Sequence, residues 1–236
     1  MRLLVLAGGF GSRLRSVVSS VPKPLAPING RPFLSFQMEN WVSQGITDFI
    51  FLLHYEAPKI IEFIKQWHAL KENRNFTVEF ITEEKPLGTG GSIANAVQCL
   101  KLSSSFFVTN ADTWLDSGFM SLRKSPFPSI AITKVKNASR YGTVITGPDN
   151  YVEKFAEKVP DETPGWINAG ISHLDPKIFL SWKGQICSLE ADYFPKLAMQ
   201  RNLSSVRLYK NFIDIGIPED YDRFCKWVQK GQTTIL

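Results

Sequence analysis

Hydrophobic positions along the chain alternate between short continuous runs and helical spacing. Residues 2–7 (RLLVLA) read as a strand covered on both faces, because the apolar run does not alternate with polar residues. Gly8, Gly9 and Gly11 then make a glycine-rich turn. Over residues 32–44, Phe33, Phe36 and Trp41, with Leu34 and Met38 less regularly, form one apolar helical face, and Gly45 stands where a helix C-terminus favours glycine. Residues 48–53 (DFIFLL) predict a second buried strand. Residues 58–67 predict a helix with Pro58 at its start and Ile60, Ile61 and Ile64 inward. Val78 and Phe80 alternate in a third strand over 77–81. A second glycine-rich loop over 85–91 leads into a helix over 92–100, and a fourth strand over 105–109 runs into Asn110, Ala111 and Asp112.

Repeated strand, loop and helix imply an α/β fold with a doubly wound, mostly parallel sheet and helices on both faces. Such sheets bind ligands at the C-terminal ends of their strands, where both glycine loops and Asp112 fall. The second half changes character. Short strands are expected over 129–134, 143–146 and 152–155, with the turn signal Gly147-Pro148-Asp149-Asn150 between the last two, and a longer strand over 166–174. A helix over 189–200 has Ser188 as its cap, a late strand covers 206–209, and a final helix spans 218–229. No linker composition separates the halves. The expected organisation is one domain over 1–236, with a first half to about residue 115 and a smaller, lid-like substrate region built onto the same sheet from about 116.

A length of 236 residues suits one large α/β domain, and 44% hydrophobic with 21% charged residues is an ordinary globular balance. The net charge of +5 is spread along the chain without a basic run, which argues for small anionic substrates and against nucleic acid. Cys99, Cys187 and Cys225 form no C-x-x-C pair and read as reduced thiols of a cytoplasmic protein. No stretch reaches the ~18 apolar residues of a membrane span, and the N-terminal run stops in glycines, unlike a secretion signal.

Glycines after a first strand let main-chain N–H groups approach a polyphosphate. The string GGFGSRL is neither a P-loop nor a dinucleotide fingerprint, and it places Arg13 two residues past Gly11, where a guanidinium can grip phosphate oxygens in a bidentate fashion. Lys23 stands between Pro22 and Pro24, so an extended, stiff segment directs its charge. Asp112 and Asp214 each follow an apolar strand, and carboxylates among oxygen donors suit Mg²⁺ held jointly with phosphates. Asp214, between Ile213 and Ile215, needs a partner for its charge. The plainer reading makes each of these a turn residue or a loop cap.

Taken in order, G-G-x-G-x-R-L, P-K-P, P-L-G-T-G-G, the aspartate after the fourth strand, Y-G, E-K, N-A-G and D-I-G-x-P resemble the sugar-1-phosphate nucleotidylyltransferases, from Met1 to about Asp222. The resemblance implies a Rossmann-like (GT-A-type) sheet. It implies that Leu6, Ala7, Gly8, Gly9, Gly11, Glu83, Pro86, Gly88 and Thr89 bind the nucleotide, and that Arg13 and Lys23 neutralise its phosphates. Asp112 and Asp214 would hold Mg²⁺, with Arg13, Lys23 and Asp112 as the catalytic set. Asn110, Gly142, Glu153, Lys154 and Asn168 would face the sugar phosphate. Ser12 in place of the commoner threonine, the proline-free stretch Arg15-Ser16-Val17-Val18, and Ile217 in D-I-G-I-P depart from the pattern without removing a charged group. The left-handed β-helix of longer members is not expected.

Within that resemblance, Glu83 occupies the base-reading loop. A carboxylate there accepts from guanine N1–H and N2–H₂ together, whereas uracil offers one such donor, so GTP is the expected nucleotide. The strings FIDIGIPEDY and SLEADYFPKL are most similar to D-glycero-α-D-manno-heptose 1-phosphate guanylyltransferases, which make GDP-heptose for bacterial surface polysaccharides and glycoproteins. A mannose- or glucose-1-phosphate enzyme, an N-acetylmuramate-1-phosphate uridylyltransferase, and a non-catalytic nucleotide-sugar-binding subunit are the alternatives. The expected partners are GTP and a sugar 1-phosphate, with no nucleic acid or membrane, in a monomer or small homo-oligomer.

Overall fold

The structure, a computed structural model, describes residues 1–70, 75–156 and 163–231. In chain order these form β1 (Arg2–Leu6), β2 (Pro27–Ile28), β3 (Arg31–Pro32), α1 (Phe33–Ser43), β4 (Asp48–Leu53), α2 (Ala57–Ala69), β5 (Thr77–Thr82), α3 (Gly88–Cys99), β6 (Phe106–Asn110), β7 (Thr113–Leu115), α4 (Phe119–Lys124), β8 (Ser129–Val135), β9 (Thr143–Thr146), β10 (Val152–Ala156), β11 (Gly165–Leu174), α5 (Phe194–Met199), β12 (Ser204–Leu208), β13 (Phe212–Asp214) and α6 (Pro218–Gln229). The fold class is the expected Rossmann-like α/β type.

The chain divides into two compact units that interleave along the sequence. The first comprises Met1–Pro86, Asn110–Asp116 and Phe212–Leu236, and the second Leu87–Thr109 and Ser117–Asn211. In the first unit β4 pairs in parallel with both β1 and β5. Leu3, Leu4, Val5, Phe49, Ile50 and Phe51 are fully buried, which is why these strands read as continuous apolar runs. The second unit is mostly antiparallel: β11 pairs with β6, β8 and β9, and β9 with β10. Only β12 against β8 is parallel there, among the described pairings.

Two helical expectations shift for identifiable reasons. The helix expected from residue 92 begins at Gly88. Glycine is a poor helix former, but Gly90 and Gly91 donate their N–H groups to the Cys187 carbonyl at 3.0 and 3.2 Å, which caps this turn. A Cβ on Gly90 would lie 2.7 Å from the Tyr193 ring, so packing overrides propensity. The helix expected over 189–200 is split into a π-turn at Leu189–Tyr193 and α5, with the Ser188 hydroxyl accepting from the Glu190 and Ala191 N–H groups as its cap.

Phe224 on α6 closes a core cluster of the first unit with Leu14, Ile28, Phe33, Phe36, Trp114, Ile213 and Ile215. Its ring meets Phe33 edge-on at 4.9 Å and lies 5.4 Å from Trp114. Phe224→Ala is therefore expected to lower unfolding free energy by about 3–5 kcal/mol in urea titrations, the cost of a large cavity. Met199→Ala, at a side chain 84% exposed, should change it by less than about 0.5 kcal/mol.

Candidate active site

The first unit gathers three charges far apart in sequence. β7 and β13 pair antiparallel with Asp214 opposite Thr113, which sets Asp214 beside Asp112. The Ala111 N–H donates to the Leu6 carbonyl at 3.0 Å and the Ile215 N–H to the Asp112 carbonyl at 3.0 Å, fixing both carboxylates past the end of β1. From α1, the Gln37 amide donates to the Thr113 carbonyl at 2.8 Å and braces the same crossing. Lys23 reaches in from another segment. Its ammonium donates to Asp112 Oδ2 at 2.7 Å and lies 3.5 Å from Asp214 Oδ1. The lysine side chain is only 9% exposed, so burial of its charge depends on these carboxylates.

Lys23 does not lie in an extended segment as expected. Pro22 is extended, but Lys23–Leu25 form a 3-10 turn with Pro24 inside it. Proline tolerates the first positions of a helical turn, where its missing N–H costs nothing. The stiffness expected from the prolines is present in a different shape.

Leu6, Ala7, Gly9, Gly11, Arg13, Lys23, Asp112 and Gly216 line one cleft of this unit. Gly8 is half-buried beside it. Arg13 belongs to a 3-10 turn, Ser12–Leu14, and is exposed. The two cations thus differ: Lys23 is held by carboxylates, whereas Arg13 is open to an anion. Gly216 belongs among the site residues although sequence reasoning used it only as a motif letter. A Cβ there would fall 2.8 Å from Asp214 Oδ1 and 3.0 Å from Lys23 Nζ, and its N–H donates to that same carboxylate oxygen at 2.8 Å.

Two carboxylates converging on one positive charge are a donor set that fits Mg²⁺ with phosphate oxygens completing its shell. The described residues contain no cluster of three His, Cys, Asp or Glu side chains, so a cation here would be shared with its substrate rather than caged by protein.

Glu83 is buried and Glu84 exposed. The Glu83 N–H donates to the Leu53 carbonyl at 2.8 Å, and its carbonyl lies 3.0 Å from His54 Nδ1. Pro86 is exposed. In the second unit, the Thr89 hydroxyl spends its one donor on Glu190 at 2.8 Å and accepts from the Leu189 N–H at 2.8 Å. A Cβ on Gly88 would sit 2.5 Å from the Cys187 carbonyl. Gly88 thus packs closely against the main chain of Cys187.

The expected sugar-phosphate residues fall on identifiable features. Asn110 ends β6 and is half-buried, its carbonyl 3.3 Å from the Gln37 amide. The other four lie in the second unit. Gly142 is exposed and precedes β9. Glu153 and Lys154 are exposed neighbours on β10, at a register shift between Val152 and Lys154. Asn168 stands where β11 slips register against β8, and its Oδ1 accepts the Gly170 N–H at 3.1 Å. The N-A-G string is thus a bulge held by its own asparagine, which leaves the amide NH₂ for other partners.

No histidine is arranged as a general base. His68 Nε2 lies 3.2 Å from the Phe76 carbonyl. His173 Nε2 lies 3.0 Å from the Ser105 hydroxyl, but its ring stacks on Phe107 at 4.5 Å and burial lowers its pKa. Burial likewise raises the pKa of the Cys187 and Cys225 thiols, the opposite of what a nucleophilic thiolate needs. No helix among the described residues is long and apolar enough to cross a membrane.

Mannose-1-phosphate guanyltransferase of Emericella nidulans is 33% identical over 229 residues, covering 94% of this chain and 62% of that relative. Its counterpart in Schizosaccharomyces pombe is 32% identical with the same coverage. The chain therefore spans 62% of the length of these curated relatives. The crystal structure of HddC from Yersinia pseudotuberculosis complexed with GMP-PN superposes with a TM-score of 0.81 at 34% identity, over 96% of this chain and 99% of that one. A family profile described as nucleotidyl transferase matches residues 2–229, and this chain belongs to that family.

Proposed function

We propose that this chain transfers GMP from GTP to a sugar 1-phosphate, releasing pyrophosphate, with D-glycero-α-D-manno-heptose 1-phosphate as the acceptor. The observation that carries the reading is the convergence of Lys23, Asp112 and Asp214 beside a glycine turn and an exposed Arg13. A pure nucleotide-sugar sensor has no need of both carboxylates. In this reading a phosphate oxygen of the sugar attacks the α-phosphorus in line and pyrophosphate leaves. The nucleophile is already anionic, so no general base is required, in keeping with the histidine environments above. The work is positioning and charge neutralisation. Asp112 and Asp214 would hold Mg²⁺, which supplies charge neutralisation to the triphosphate. Arg13 and Lys23 meet phosphate oxygens, and Lys154 with Asn168 takes the sugar phosphate.

Guanine is favoured by the buried Glu83 carboxylate, by relatives named guanyltransferases and by the GMP-PN in the HddC crystal. The heptose assignment rests on the string similarities given above. Mannose 1-phosphate is the second reading, and the names of the curated relatives favour it. We place the enzyme in the cytoplasm, where nucleotide triphosphates are available, supplying activated sugar for surface polysaccharide or glycoprotein.

Asp112→Ala, Asp214→Ala and Arg13→Ala should each lower kcat by about 100-fold or more while leaving the circular dichroism spectrum unchanged, since each meets charge that shifts during transfer. Near wild-type turnover by either aspartate variant at low millimolar Mg²⁺ would remove that residue from the metal site.

Pyrophosphate release measured with each NTP and a panel of sugar 1-phosphates tests base and sugar together. GTP should exceed UTP, dTTP and ATP by well over an order of magnitude, and the heptose phosphate should exceed mannose 1-phosphate. One aligned pair of hydrogen bonds to a base edge contributes roughly 1–3 kcal/mol. Glu83→Gln should selectively erode GTP use, and Glu84→Gln should do little. Equal use of GTP and UTP by the wild-type protein would sink the guanine reading. A stronger response to mannose 1-phosphate would transfer the assignment to that sugar.

A further inference from the structure

We propose that His54 is a positioning residue for base choice: it holds the main chain of Glu83 in register with the glycine turn that grips the phosphates. The inference rests on the reading of Glu83 as the guanine-binding carboxylate. The Glu83 carbonyl can only accept, so the 3.0 Å contact makes His54 Nδ1 the donor and settles the tautomer. β5 ends at Thr82, paired with Leu53. One residue on, the ladder has no further strand to offer. Leu53 and His54 complete it by other means, the first accepting the Glu83 N–H at 2.8 Å and the second donating to its carbonyl. Both main-chain polar groups of a buried acidic residue are thus tied to consecutive residues at the end of β4.

His54 is equally tied to the turn. A Cβ on Gly8 would lie 3.1 Å from the His54 backbone nitrogen and 3.2 Å from its Cβ, so the two main chains approach closely enough that a side chain at Gly8 would be tight against His54. Phe10, an exposed residue of the turn, sets its ring edge-to-face with the imidazole at 5.7 Å. The Ala7 N–H donates to the Leu52 carbonyl at 2.9 Å and the Tyr55 N–H to the Gly8 carbonyl at 3.4 Å, on either side of His54. One side chain therefore touches both the phosphate turn and the base-reading loop.

The chemistry makes that link matter. Base and phosphates are parts of one covalent ligand, so a site that grips both needs a fixed separation between the two grips. If the Glu83 main chain drifts, the phosphates can still bind while guanine loses its paired hydrogen bonds. A nucleotide that never used the Glu83 carboxylate loses little. Loss of the His54 donor should therefore appear as lost discrimination rather than as lost chemistry.

The test compares His54→Leu, which deletes the donor, with His54→Asn, whose amide nitrogen takes the place of Nδ1, and His54→Gln, whose amide lies nearer the place of Nε2. His54→Leu should raise the KM for GTP by about tenfold. Its kcat at saturating GTP should stay within about threefold of wild type, and its KM for UTP and for the sugar 1-phosphate should change little. The GTP:UTP ratio of kcat/KM should fall by about tenfold, and His54→Asn should restore it to within about threefold of wild type. If His54→Leu does not fold, Asn against Gln serves the same purpose, with the ratio kept by Asn and lost by Gln. An unchanged ratio in His54→Leu, an equal loss with both nucleotides, or rescue by Gln and not by Asn would overturn the proposal. Glu83→Gln separates the two levels. If it leaves the ratio unchanged, the guanine reading fails and this inference with it. If it erodes the ratio while His54→Leu does not, only the positioning role fails.

Discussion

A lysine ammonium withdrawn from water must have its charge answered, and much of the first unit is arranged around answering that of Lys23. Residues 23, 112 and 214 come from three segments, and nothing local holds them together. The three-residue strands β7 and β13 pair so that Asp214 lies opposite Thr113. Gln37 and Asn40 turn from the buried side of α1 to brace that crossing, and Gly216 leaves room for it. Opening this cluster would expose either a buried cation or a pair of neighbouring carboxylates that repel one another. The same arrangement gives oxygen donors and a cation beside a turn of main-chain N–H groups, which is what a metal-bound triphosphate requires.

Legibility in the sequence followed the length scale of each feature. Strands β1 and β4 are plain because five consecutive apolar residues have few other uses. β7 and β13 are not, since three residues cannot show a period. The start of α3 was missed because Gly88 to Gly91 look like a loop until Cys187 and Tyr193, about a hundred residues away, are brought against them. Lys23 was found through its flanking prolines, yet their conformation was a turn rather than an extended segment. The charged groups Arg13, Lys23, Asp112 and Asp214 stand out by their places after glycines, between prolines and after apolar strands, and the family resemblance then implies their roles. Gly216 and His54 do not stand out, since their parts depend on distances of about 3 Å that no spacing in the chain reveals.

Phosphate gripping and substrate choice place different demands on the chain. The charges of the first unit are interchangeable among nucleotides, because every NTP presents the same triphosphate. Choice of base is assigned here to one buried carboxylate and the backbone that carries it. Choice of sugar is proposed for exposed residues on β10 and a bulge on β11.

If Asp112 and Asp214 hold Mg²⁺ together with the phosphates, nucleotide binding depends on the cation. Calorimetric titration of the whole chain with a non-hydrolysable GTP analogue, in Mg²⁺ and again in EDTA, tests this most directly. EDTA is expected to weaken binding by at least about tenfold, roughly 1.4 kcal/mol. Equal affinity in both conditions would contradict it, and would leave Lys23 and its two carboxylates as a structural ion cluster alone.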